Sequence, residues 1–173
     1  TPVALLVEGD LSGVQKFIYT ITSRGATSAL RGRSFYLQLL TDAIARYILR
    51  RFDMPITNLL YAGGGHFYLL LPASAGQAIA HLQTDLDQLL LEKHDGELYC
   101  ALGAVPLTCA DFQSDRFGAA WRHSGAAVSD RKRRRFAEMG EELFTVMGFG
   151  GDETLECQVC HYEGEDVEES ERD

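Results

Sequence analysis

This sequence predicts an α+β fold of the ferredoxin-like type, β-α-β-β-α-β, with one helix inserted. Three observations carry that expectation. Apolar runs and amphipathic stretches follow one another as strand, helix, second helix, hairpin, helix and strand across residues 1–110. Three consecutive glycines, Gly63-Gly64-Gly65, sit between two apolar runs and signal a tight hairpin. From Asp111 the pattern changes to a charge-rich helical segment over 111–150 and an acidic tail over 151–173.

Val3-Ala4-Leu5-Leu6-Val7 is a continuous apolar run ended by Glu8-Gly9-Asp10, as expected of a buried central strand. Ser12-Gly13-Val14-Gln15 reads as a capping box, with the serine accepting from the new helix and the glutamine reaching back. Val14, Phe17, Ile18 and Ile21 then recur at helical spacing. Residues 23–30, rich in Gly, Ala and Ser, read as a loop. Arg31-Gly32-Arg33-Ser34 opens a long helix to about Phe52, with Tyr36, Leu40, Ala43, Ile44 and Tyr47 as its expected buried stripe. Ile56 to Ala62 and His66 to Leu71 are the two arms of the hairpin. Ile79, Leu82, Leu86 and Leu89 mark an amphipathic helix, and Leu98 to Leu107 the fourth strand. Arg116 to Met139 reads as helical and holds the basic run Arg131-Lys132-Arg133-Arg134-Arg135.

The formal net charge of −9 belongs to the tail. Between Asp152 and Asp173 there are ten acidic residues and one arginine, which leaves 15 acidic and 15 basic side chains in residues 1–151. A neutral body exerts no global pull on nucleic acid, so any such binding must come from local patches. No apolar run approaches the roughly 20 residues that span a bilayer, so no membrane partner is expected. The amino terminus has neither an initiator methionine nor a basic segment ahead of its apolar stretch. It reads as a processed fragment without a signal peptide. Four cysteines, with Cys100 and Cys109 far from Cys157 and Cys160, do not resemble a secreted disulfide scaffold; a reducing, cytoplasmic setting is expected.

Sheets of this type carry nucleotide chemistry over their strand ends, where two-metal phosphoryl transfer needs several converging carboxylates. Here the hairpin offers glycines and His66, so backbone can approach a phosphate closely but the metal-binding acids are missing. Glu8 and Asp10 share a strand face. They read either as a single-cation pair or as a charged strand end, with Asp10 near a helix amino terminus. His66 reads as a hydrogen-bonded structural residue or as a ribose or base contact. Arg31 and Arg33 suit phosphate charge, and equally a structural pairing with nearby acids.

Three segments together are more specific than any one of these signals: Gly9 to Ile18, Leu30 to Leu37, and Leu60 to Phe67. In this order and spacing they closely resemble the large signature subunit of type III CRISPR effector complexes, in its Csm-type (type III-A) form. The resemblance covers that family's first Palm domain, and Lys132 to Phe136 is similar to the basic stretch leading into its zinc-bearing domain. It implies two Palm domains face to face, the second carrying a Gly-Gly-Asp-Asp turn. Together they bind ATP, with magnesium, to make cyclic oligoadenylates when target RNA is bound. It also implies an HD nuclease domain, which these 173 residues do not contain.

On that resemblance the chain is the non-catalytic half of a composite site, inactive alone. The implied ATP-facing residues are Asp10, Ser12, Gly13, Gln15, Arg31, Ser34, Gly63, Gly64, Gly65 and His66; no catalytic residue is implied. The implied partners are the second Palm domain, other effector subunits, and crRNA and target RNA through the complex. Cys157-Gln158-Val159-Cys160 looks like half of a zinc knuckle, since one such pair supplies two of the four thiolates or imidazoles of a closed site. An unmetallated acidic tail is the other reading. The basic run reads as a solvated helix face or as a contact for RNA or another subunit. A stand-alone cyclase-like enzyme using Glu8 and Asp10, and a purely structural assembly domain, are the competing functions.

Overall fold

A computed structural model describes residues 1–19, 26–113 and 116–144. Four strands form one sheet: β1 (Ala4–Ser12), β2 (Leu59–Gly63), β3 (His66–Pro72) and β4 (Tyr99–Leu107). Their spatial order is β2-β3-β1-β4, and every neighbouring pair is antiparallel. Helices α1 (Val14–Tyr19), α2 (Ala26–Arg51), α3 (Ile79–His94) and α4 (Phe117–Lys132) complete the fold. The α+β class and the β-α-β-β-α-β order with an additional helix are as expected from sequence.

Several boundaries differ from the sequence expectation. β1 does not stop at Val7 but runs through Glu8-Gly9-Asp10 to Ser12, paired with β3 and β4 on its two sides. Ladder hydrogen bonds on both edges carry the strand past the point where its apolar residues end. Ser12 is therefore a strand residue opposite Tyr99, and the first helical bond runs from Phe17 N–H to Gly13 C=O, which makes Gly13 the cap in place of Ser12. The long helix begins at Ala26, not Arg31, because alanines and leucine sustain helix where a loop was expected. Its buried stripe is Arg33, Leu37, Thr41, Ile44, Ala45, Ile48 and Leu49, so Ala43 and Tyr47 face outward. Ile56–Asn58 is a 3₁₀ turn preceding β2.

Strand alternation divides the sheet into two faces. Leu5, Val7, Leu11, Phe67, Leu69, Leu71, Cys100 and Leu102 point to one side and pack with α2 and α3 in the principal core. Leu6 and Leu107 point to the other, where they meet Ala120, with Phe117 and Trp121 beside them. α4 thus covers the face that α2 and α3 leave open. It sits close: a Cβ on Gly103 would lie 2.7 Å from Ser124 O and 2.8 Å from Val128 N. Trp121 stacks on Tyr68 of β3 with ring centroids 4.2 Å apart.

β4 is an edge strand, and its outer backbone is not left bare. The fully buried Gln83 of α3 donates to Cys100 O at 2.9 Å and accepts from Leu102 N–H at 2.8 Å. Its amide nitrogen also donates to Asp87 Oδ1 at 2.7 Å. A glutamine side chain therefore takes one rung of the edge that β4 shares with no other strand among the described residues.

Candidate functional site

The hairpin closes through two residues, Gly64 (φ +61°) and Gly65 (φ +84°), between the paired Gly63 and His66. Positive φ at both central positions is the primed geometry that matches strand twist, and glycine adopts it without steric cost. The hairpin tip is fastened to the end of β1 by a bond from Leu11 N–H to Gly65 O at 2.8 Å. Gly63 serves a second purpose. A Cβ there would lie 2.8 Å from the Tyr61 hydroxyl, so the tyrosine ring lies along β2 over the glycine.

Beside this tip, Asp10 is in register with His66 on one side and Ala101 on the other. The Asp10 carboxylate is nearly buried. Its Oδ2 accepts from Lys132 Nζ at 2.5 Å and lies 3.4 Å from His66 Nδ1. Two residues back on the same face, Glu8 is buried too; Ser124 Oγ donates to its Oε2 at 2.6 Å. The Tyr68 hydroxyl also bonds to Glu8. Burial, followed by that carboxylate's charge, pushes Tyr68 above the ordinary tyrosine range. Both acids of the pair are therefore engaged by side chains of α4 and β3. Among the described residues no group of three or more His, Cys, Asp or Glu side chains is arranged to hold a metal ion.

Of the residues singled out from sequence, Asp10, Ser12, Gly13, Gly63, Gly64, Gly65 and His66 come together around the tip, with Gln15 exposed on α1 just beyond. Gly13 (φ +91°) is held against the α3–β4 loop, where a Cβ would lie 1.9 Å from Glu97 O. Arg31 and Ser34 stand on the exposed face of α2. Arg33, weighed with Arg31 for phosphate, is almost fully buried: its guanidinium donates to Phe17 O at 2.6 Å and lies over the Phe17 ring. It holds α2 against α1. Cys157 and Cys160 lie outside the described residues.

Lys132, singled out only as part of the basic run, Ser124 and Tyr68 were not read as site residues. A signal for the first two was present, since Ala120, Ser124, Val128 and Lys132 recur every four residues and define the α4 stripe that meets the sheet. Three other residues of the basic run are also tied to the protein. Arg131 pairs with Glu138 and Arg133 with Asp130, while Arg135 donates to Gly96 O and lies over the rings of Tyr99 and Phe136.

The family model described as Csm1 subunit domain B matches residues 3–148. The chain belongs to that family. A subtype III-A Cas10/Csm1 single-strand-specific deoxyribonuclease from Methanocaldococcus jannaschii is 34% identical over 168 residues, covering 91% of this chain and 21% of the relative. The Mycobacterium tuberculosis protein of the same name is 36% identical over 173 residues, with the same two coverages. This Csm1 domain B chain therefore spans about a fifth of the length of these relatives. Among solved structures, a Csm1–Csm4 cassette in complex with one ATP superposes with a TM-score of 0.74 at 29% identity, over 82% of this chain and 20% of that one. A Csm1–Csm4 cassette in complex with cA3 gives 0.73 at 28%, over 80% and 20%.

Proposed function

We propose that this Csm1 domain B chain is the ATP-binding first Palm domain of a type III-A effector large subunit, contributing half of the composite site that makes cyclic oligoadenylate in antiviral defence. One observation carries the reading. A two-glycine hairpin whose backbone is open at Gly64 stands beside the Asp10–His66 pair, and neither carboxylate on that face is presented to a metal ion. Such a tip can approach a triphosphate closely, and its exposed His66 and half-buried Lys132 offer donors to it. It cannot seat two magnesium ions by itself. The acids that hold magnesium for transfer belong, on this reading, to the second Palm domain, and ATP is substrate to both halves.

The relatives solved as Csm1–Csm4 cassettes with ATP, AMPPNP or cA3 support a nucleotide role. They also support Csm4-type subunits as partners. The second Palm domain, crRNA and target RNA are further partners on the same reading. Cys157 and Cys160 would give two of the four ligands of a structural zinc site. A cytoplasmic setting fits the reduced Cys100 and Cys109.

The test is product analysis. The purified chain with ATP and magnesium should yield no oligoadenylate, and product should appear once a Palm domain bearing tandem acids is supplied. Appreciable conversion by this chain alone would overturn the reading in favour of a self-sufficient enzyme.

A further inference from the structure

Asp10 sits where a Palm-type sheet would use a strand-end carboxylate to bind a cation, and that position is filled from within the chain. Lys132 enters from the last turn of α4, an element outside the hairpin and its two neighbouring strands, and places its ammonium on Asp10 Oδ2. His66 shares the same oxygen from the hairpin side, and Ala101 on the remaining side brings no polar side chain. The carboxylate is only 13% exposed, whereas Lys132 and His66 keep 34% and 46% of their side chains in contact with solvent. A divalent ion is attracted by an excess of negative oxygen ligands. Here the excess is gone, because one carboxylate meets one ammonium, and Glu8 is occupied by Ser124 and Tyr68.

We infer that Lys132 is the built-in cation of this site: its ammonium takes the place at Asp10 that a divalent metal would otherwise occupy, and with His66 it presents donors to a phosphate oxyanion. The second half of that statement rests on the nucleotide reading above, while the first stands without it. An ammonium has three N–H donors, and the bond to Asp10 uses one. Tethering a monovalent cation also fixes the charge of this half of the cleft whatever the free magnesium concentration.

Two titrations test it on the 173-residue chain. In the first, Mn²⁺ binding is followed by electron paramagnetic resonance, with circular dichroism confirming the fold. The wild type should show only the Mn²⁺ binding of its acidic, cysteine-bearing tail, unchanged by Asp10→Asn. Lys132→Ala should gain a further site, and Asp10→Asn added to it should abolish that site. A folded Lys132→Ala without the gain, or a wild type that binds Mn²⁺ as well as the variant, overturns the inference. Because Lys132→Ala strands a nearly buried carboxylate and is at risk of unfolding, the second titration uses the uncharged pair Asp10→Asn/Lys132→Met. Metal-free ATP, followed by NMR shift changes, should bind this double variant at least about tenfold more weakly than wild type, as loss of a charge-assisted contact implies. Equal affinity overturns the role at phosphate. A wild type that binds no ATP sinks the nucleotide reading, and the Mn²⁺ result still decides the role of Lys132.

Discussion

Asp87 shows how one buried group sets a pH dependence. It is fully buried on α3, Gln83 donates to its Oδ1, and its Oδ2 has no hydrogen-bond partner among the described residues. Burial raises its pKa from the ordinary 3.8 to about 6, against the lowering effects of the Gln83 bond, Arg131 and Arg135. The folded state therefore holds this proton more tightly than the unfolded state. Its contribution to stability is complete below about pH 4 and is lost as pH climbs through about 6. Asp87→Asn keeps the shape and removes the ionisation. It should stabilise the protein by roughly 2 kcal/mol at pH 7.5 and change little at pH 4. Urea denaturation at the two pH values checks this, and an equal gain at both would refute it. The sequence gives no hint of this behaviour, because the acid reads as one more polar position on an amphipathic helix. Its burial follows from the Gln83 arrangement, which only the fold reveals.

The α3–β4 contact is the element-scale counterpart. Gln83→Leu fits the space but leaves Cys100 O and Leu102 N–H without their partner inside the core. Two buried unsatisfied backbone groups should cost about 2–4 kcal/mol, read by chemical denaturation. Leu102 N–H should also exchange with solvent faster than its strand neighbours. Strands and helices were legible here because their signals are local. The triple glycine gave the hairpin, and i, i+4 leucines gave α3. Several elements were misjudged in extent, among them β1, α2, β2 and α4, and β1 owes its length to neighbours. β1 persists through Glu8-Gly9-Asp10 because β3 and β4 flank it, with Gly9 leaving room for the Phe67 ring that a Cβ would strike at 2.0 Å. The α2 stripe was misplaced because a buried arginine, Arg33, and a threonine, Thr41, do not look like core.

At the scale of the molecule, the candidate site joins residues more than a hundred positions apart: Asp10 with Lys132 and Glu8 with Ser124. The strand-and-hairpin half was legible from glycine chemistry. The α4 half was legible only in part: the four-residue spacing of Ala120, Ser124, Val128 and Lys132 marks its inward stripe, but nothing local says how far Lys132 reaches over the sheet. What decides it is how low the helix rides, and that is governed by Gly103. Gly103→Ala would put a methyl group into the backbone of Ser124 and Val128, atoms that cannot swing aside. The variant should lose about 1–3 kcal/mol in denaturant unfolding. It should also show NMR shift changes at Asp10 and His66, far from the substitution along the chain. The absent side chain at Gly103 thus acts as a fulcrum: one hydrogen atom halfway along the edge strand β4 calibrates the reach of a charge delivered at the hairpin end. Evolution could retune the cleft by trading that single methyl, with no residue of the cleft altered.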